Sequence, residues 1–238
     1  LRQLSDMIIG MTQSETLAAV LASASRLQQV VPDAVLVGGS AAAMYAGHRD
    51  SFDHDHVLVD LVDRYEQVLD AVEAADGWAT SVRATKPPFT IMGSLDGIEA
   101  GLRQMRRTRP LETTVVDLGD GLTVVAPTEA EALRVKGYLV VQRNMVRDYL
   151  DVAALSEHLR HDAAAAILAA IDEYYDDRSH TSGSVVTSLA LALADPSPRD
   201  TTVIAELDRY KNLDERWHDW NEVVRVCRNL ALEISGAT

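Results

Sequence analysis

The first clear rhythm along the chain is helical. In "TQSETLAAVLASASRLQQV" (12–30) Leu17, Val20, Leu21 and Ala24 recur every three or four positions, which predicts a helix capped by Ser14. "AVLVGGS" is a short buried strand ending in a glycine turn, with a helix expected from Ser40. "AAAMYAG" continues that helix, and Gly47 supplies its stop. "FDHDHVLVDL" alternates and predicts a strand. "DRYEQVLDAVEAADG" returns to helical spacing, with Tyr65, Val68, Leu69 and Val72 on one face.

The period then becomes strand-like. "PFTIMGSLDGIEAGLRQM" and "TTVVDLGDGLTVVAP" each hold an Asp-Gly pair, at Asp96-Gly97 and Asp120-Gly121, between alternating segments. Both predict hairpins, and Pro127 ends the strand-rich half. Thr128 and Glu131 form a T-x-x-E capping box that opens "EAEALRVKGYLVVQR". "RDYLDVAALSEHL" and "DAAAAILAAIDEYYDD" follow as helices. "SHTSGS" reads as a loop or a helix start, and "DPSPRD" at 195–200 as a break. A last helix over about 213–235 places Trp217, Trp220, Val223, Val224, Cys227, Leu230 and Ile234 on one core-facing stripe. The pattern predicts an α/β (α+β) half over 1–126 and a helical bundle over 127–238.

Composition narrows the classes of function. At 238 residues the chain suits two small domains, and a hydrophobic fraction of 47% provides a core. No run of 18 apolar residues exists, so neither a transmembrane helix nor a membrane partner is expected. The first residues lack a signal-peptide pattern. The single Cys227 forms no internal disulfide and no zinc cluster, which fits a reduced, cytoplasmic setting. A net charge of −14 argues against wholesale nucleic-acid binding. Between residues 83 and 109, however, Arg83, Lys86, Arg103, Arg106, Arg107 and Arg109 meet only Asp96 and Glu99. That segment is either a local basic face or a solvated, arginine-rich strand edge.

The candidate chemistry lies in "LVGGSAAAMYAGHRDSFDHDHVLV", residues 36–59. A glycine pair after a strand lets backbone approach a ligand, and a helix starting there offers free N–H groups to phosphate. Asp53 and Asp55, an i, i+2 pair, point to one face of a strand, with Cα atoms about 6.5 Å apart at a rise of about 3.3 Å per residue. Two such carboxylates suit Mg²⁺ shared with substrate phosphates; alone, D-x-D also describes a solvated strand. His54 and His56 take the other face, where packing against a helix is expected and a zinc site is not.

Together, G-G-S, a short helix and R-x-S-x-D-x-D on the next strand resemble the signature of the polymerase-β-like nucleotidyltransferase superfamily. A second stretch, "TEAEALRVKGYLVVQRNMVRDYLDVAAL", resembles the later motifs of AbiEii-type nucleotidyltransferase toxins, which include mycobacterial toxins of type IV toxin–antitoxin pairs. A helix with Lys136 is followed by R-D-x-x-D, and Lys136 and Asp151 are 15 positions apart. The resemblance spans about residues 35–155 and implies a core with a mixed sheet. Position by position it assigns Gly39 and Ser40 to the triphosphate turn and Ser51 to a phosphate beside the metal. It makes Asp53 the essential ligand of Mg²⁺ (or Mn²⁺) with Asp55 its partner. Lys136 would meet the triphosphate, and Asp151 would complete the catalytic cluster. Asp148 and Asp151 also read as ordinary acids at a helix start. Glu99 is the candidate for a third strand carboxylate but matches that position poorly, so it is not counted.

The resemblance implies an NTP-using toxin that adds nucleotides to the 3′ end of tRNA, blocks translation, and is held in check by a cognate antitoxin, with Ser51 a candidate for phosphorylation. Transfer of AMP or UMP to protein is the alternative within the fold. A non-catalytic, partner-binding member is the alternative outside enzymology.

Overall fold

The computed structural model describes residues 14–175 and 183–237. The elements run α1 (Glu15–Val30), β1 (Val35–Val37), α2 (Gly38–Ala46), β2 (Asp53–Leu58), α3 (Tyr65–Glu73), β3 (Trp78–Thr80), β4 (Thr90–Leu95), β5 (Ile98–Gln104), β6 (Thr113–Gly119) and β7 (Leu122–Pro127). The helical half holds α4 (Glu129–Arg143), α5 (Val146–Leu159), α6 (His161–Ala169), α7 (Val185–Ala194) and α8 (Trp220–Ala237). Short 3-10 stretches occupy Ile171–Glu173, Thr201–Arg209 and Glu215–His218.

Five strands form a sheet in the order β1-β2-β5-β4-β3. Only β2 and β5 pair in parallel, so the sheet is mixed. The β4–β5 turn places Asp96 and Gly97 at φ +50° and +84°, the mirror-image turn that strand twist favours. The β6–β7 hairpin stands apart as its own two-stranded sheet. It is tied to α1 by the Gln28 amide, which donates to the Val125 carbonyl (2.8 Å) and accepts from the Val125 N–H (2.7 Å).

Alternation in β2 decides what each sheet face does. His54, His56 and Leu58 are buried, whereas Asp53, Asp55 and Val57 are not. The buried face joins Ile91, Leu95, Ala100 and Leu102 under Leu27 of α1 and Tyr65, Val68 and Val72 of α3. His54 Nε2 lies 3.0 Å from Ser23 Oγ on α1, so this histidine packs against a helix as expected. The opposite face is left to a cleft. A separate core fills the helical half and takes in Ala42 of α2, so α2 packs against both halves.

Several boundaries differ from the sequence reading. Helix α2 starts at Gly38 rather than Ser40, because Gly38 at φ +80° turns the chain straight out of β1. Thr128 does accept from the Glu131 N–H (3.2 Å), but the Glu131 carboxylate does not reach back: it binds Arg107 and Arg134, and the Thr128 N–H goes to the Glu112 carbonyl. Helix α5 begins at Val146, so Asp151 lies inside it and is no end-cap. In the last helix Val226, not Val224, joins the core. Trp217 sits on a preceding 3-10 turn, so its phase does not continue into α8. The stretch "SHTSGS" and the tail of "IDEYYDD" fall largely outside the described residues; of the former, Ser184 caps α7 by accepting from the Thr187 N–H.

Candidate active site

The open face of β2 and β5 and helices α4 and α5 enclose a cleft of about 1040 Å³. Its walls carry six arginines and two lysines against two acids, Asp53 and Asp55. Asp151, Glu131 and Asp148 pair with Arg49 and Lys136, Arg107 and Arg143 from behind the wall, which still leaves a local excess of positive charge on a protein of net charge −14. The cleft suits a polyanion.

Gly38, Gly39, Ser51, Asp53, Asp55 and Lys136 all line this one space. A Cβ on Gly39 would lie 2.8 Å from a terminal nitrogen of Arg49, so only glycine leaves room there for the guanidinium. In register, Asp55 faces Gly101 of β5, and a Cβ on Gly101 would lie 2.4 Å from Asp55 Oδ1. The missing side chain makes the slot in which the carboxylate stands.

Two predicted residues take other positions. The buried Ser40 hydroxyl bonds the Asp53 carbonyl at 2.5 Å and points away from the cleft. It ties α2 to β2, and of the G-G-S run only Gly38 and Gly39 line the cleft. Ser51 does line the cleft; its hydroxyl donates to the Asp53 carbonyl (3.2 Å) and lies 3.4 Å from Asp53 Oδ1. Asp151 is fully buried beneath the cleft floor. It accepts two hydrogen bonds from Arg49 (2.9 and 3.0 Å) and one from His48 Nε2 (2.8 Å), and Lys136 Nζ lies 2.5 Å away. Burial by itself would raise the Asp151 carboxyl, but Arg49, Lys136 and His48 outweigh it and hold it well below the usual carboxylate range. Burial likewise keeps His48 neutral by pushing its pKa down. Burial pushes the Lys136 amine down and Asp151 opposes that shift, while Arg49 shares the same carboxylate, so the two basic groups stand where a triphosphate would meet them.

Three further residues reach the site. Arg49 stands in the R-x-S-x-D-x-D motif, which was the signal for it. Arg103 of β5 pairs with Asp55, Nε to Oδ1 at 3.1 Å, two positions along the strand from Gly101. Lys211 comes from the helical half, and its Nζ lies 3.6 Å from Asp53 Oδ1. No motif in "RYKNLD" marked it. Glu99 is in register with Asp53, exposed and outside the cleft walls.

Among the described residues no group of three or more His, Cys, Asp or Glu is placed to hold a metal ion. An all-protein cage is therefore not what Asp53 and Asp55 form. They fit the mode of Mg²⁺ or Mn²⁺, in which one or two carboxylates share the ion with substrate phosphates. The adjacent Lys211 and Arg103 show that both carboxylates attract cations.

The fold has known counterparts. MenT4, a nucleotidyltransferase toxin from Mycobacterium tuberculosis, superposes with a TM-score of 0.58 at 18% identity, over 95% of this chain and 90% of that one. JHP933 and a putative nucleotidyltransferase, both from Helicobacter pylori, each give a TM-score of 0.51, at 17% and 16% identity, over 94% or more of both chains. The chain has the nucleotidyltransferase fold. Its sequence relatives are of another kind. The heme uptake protein MmpL11 of M. tuberculosis is 31% identical over 235 residues, 95% of this chain and 24% of that protein. The mycolic acid-containing lipids exporter MmpL11 of Mycolicibacterium smegmatis is 37% identical over 128 residues. The chain thus spans about a quarter of the length of the first of these. No family model matches. Within the nucleotidyltransferase fold, no helix of the described residues is long and apolar enough to cross a membrane.

Proposed function

We propose that the protein is a cytoplasmic, Mg²⁺-dependent nucleotidyltransferase toxin that uses an NTP to modify the 3′ end of tRNA and is restrained by a cognate antitoxin. The observation that carries this reading is the meeting of Asp53 and Asp55 with the Gly38-Gly39 turn and Lys136 in one cationic cleft. Each part has a task in the transfer. The acceptor hydroxyl oxygen attacks the α-phosphorus and gives up its proton to water, the bond to the β-phosphate breaks, and pyrophosphate leaves. Charge grows on the leaving oxygens, and Lys136 and Arg49 face it from the floor. The backbone at Gly38 and Gly39 offers N–H groups to the phosphates, with Ser51 beside them. Asp53 and Asp55 would hold Mg²⁺, which supplies further neutralisation of phosphate charge when bound. Asp151 positions Arg49 and Lys136 and touches neither substrate nor metal. The exposed arginines 103 and 106 extend the cationic wall toward an RNA backbone.

Incubation with each of the four labelled NTPs, purified tRNA and cell lysate tests the assignment. Label in tRNA supports it. Label in protein instead establishes transfer of AMP or UMP to a protein hydroxyl, and label in neither, with binding retained, a non-catalytic role.

The curated relatives, of which this chain spans about a quarter of the length, favour a second reading, in which this fold is a segment of a longer transport protein and binds nucleotide without transferring it. Nucleotide binding without transfer to any acceptor is its signature.

A further inference from the structure

Lys211 reaches the site by an unusual route. It and Asn212 both lie in the left-handed region, at φ +49° and +48°, where two successive non-glycine residues are strained. The turn is pinned to the loop before β2. The Asp50 N–H donates to the Lys211 carbonyl (2.7 Å), the Asp214 N–H donates to the His48 carbonyl (2.8 Å), and the Asn212 amide donates to the Asp50 carboxylate (2.6 Å). None of these bonds uses the Lys211 side chain. What the strained turn delivers is the ammonium, 3.6 Å from Asp53 Oδ1 and 5.7 Å from the centre of the half-exposed Phe52 ring. Gly38, Gly39 and Ser51 line the same stretch of cleft.

The contact with Asp53 is longer than a hydrogen bond, and both partners are partly open to water. Such a pair is weak and easily exchanged. An ammonium and a divalent cation also repel on one carboxylate, so they compete for Asp53. The flexible four-carbon stem of lysine lets the charge move while the pinned backbone stays in place.

We propose that Lys211 is a cation shared between Asp53 and the substrate: it neutralises Asp53 in the empty site and passes to the triphosphate when a divalent ion binds that carboxylate. The proposal rests on the nucleotidyltransferase reading of the cleft. It makes the segment after residue 209 part of the nucleotide site, although the sequence there carries no recognisable motif.

The test uses the full chain and Lys211→Gln, with two titrations: Mn²⁺ alone, and each of the four NTPs with Mg²⁺. Removing the competing charge should tighten Mn²⁺ binding by about threefold. Removing a charged phosphate partner should weaken NTP binding by about tenfold. The two effects have opposite signs, which a general loosening of the site would not produce. Lys211→Arg keeps the charge and should hold both constants near wild type. Unchanged constants in Lys211→Gln, or shifts in the same direction, overturn the proposal while the nucleotidyltransferase reading stands. A wild-type protein that binds no NTP removes that reading, and the proposal with it.

Discussion

Lys136 Nζ, on the cleft floor, and Asp151 Oδ2, beneath it, stand 2.5 Å apart, both almost wholly shielded from water. The same carboxylate takes both hydrogen bonds of the Arg49 fork. The acid of the R-D-x-x-D motif is thus the anchor that aims two cations upward. Breaking a buried pair on one side costs about 3–5 kcal/mol, because the partners keep their charge without a counter-charge. Asp151→Asn should destabilise the fold by about that amount, read as a lowered midpoint in urea unfolding.

Acid should weaken the fold before it reaches ordinary carboxylate pKa values. Burial lowers His54 to about 4 and His56 well below its usual value. The folded state therefore binds fewer protons than the unfolded one once the pH drops below about 6.5, and stability falls with pH from there. The Asp151 contribution behaves likewise at lower pH: it is fully present above about pH 4 and is lost on further acidification. Neither ring nitrogen of His56 has a hydrogen-bond partner among the described residues. His56→Leu should then be neutral or stabilising at pH 7 and should flatten the fall between pH 7 and 5, measured by urea midpoints across that range.

The arginines of the basic segment divide by burial. Arg107 is buried; it binds the Glu131 carboxylate at 2.6 Å, and its guanidinium lies 5.1 Å from the Tyr175 ring. Arg106 is exposed on the cleft wall. Arg107→Ala should cost about 3–5 kcal/mol of stability. Arg106→Ala should cost less stability than Arg107→Ala and lower RNA affinity with a salt slope smaller by about 1. Binding isotherms at several salt concentrations check the second half.

Much of this arrangement was legible in the residues, and the gaps have physical causes. Alternation in "DHDHVL" separated the acid face from the histidine face because strand side chains alternate strictly. The Asp-Gly turns, the Ser14 and Thr128 caps and the Gly47 stop are local signals, and all are present. The detached β6–β7 hairpin depends on long-range packing that no local pattern encodes. The same holds for Lys211, whose position is set by backbone and side-chain hydrogen bonds to residues more than 160 positions earlier. Ser40 illustrates a subtler limit. Its place in G-G-S was readable, but the direction of its hydroxyl depends on the Asp53 carbonyl across the turn.

Gly101 offers a clean probe of the acid pair. Its Cβ would also crowd the Met92 sulfur at 2.9 Å, so Gly101→Ala must displace Asp55 or Met92. Displacing a positioned group by about 1 Å costs about 10²-fold in rate. Gly101→Ala should lose about that much transfer activity while Mn²⁺ binding weakens in parallel.

The most direct measurement is transfer of labelled nucleotide by wild type and Asp53→Asn, with binding of the same NTP followed on both. Wild type should label its acceptor, and the variant should fold normally, keep part of its NTP binding through Lys136 and Arg49, and transfer nothing detectable. Transfer by Asp53→Asn at the wild-type rate would contradict the account.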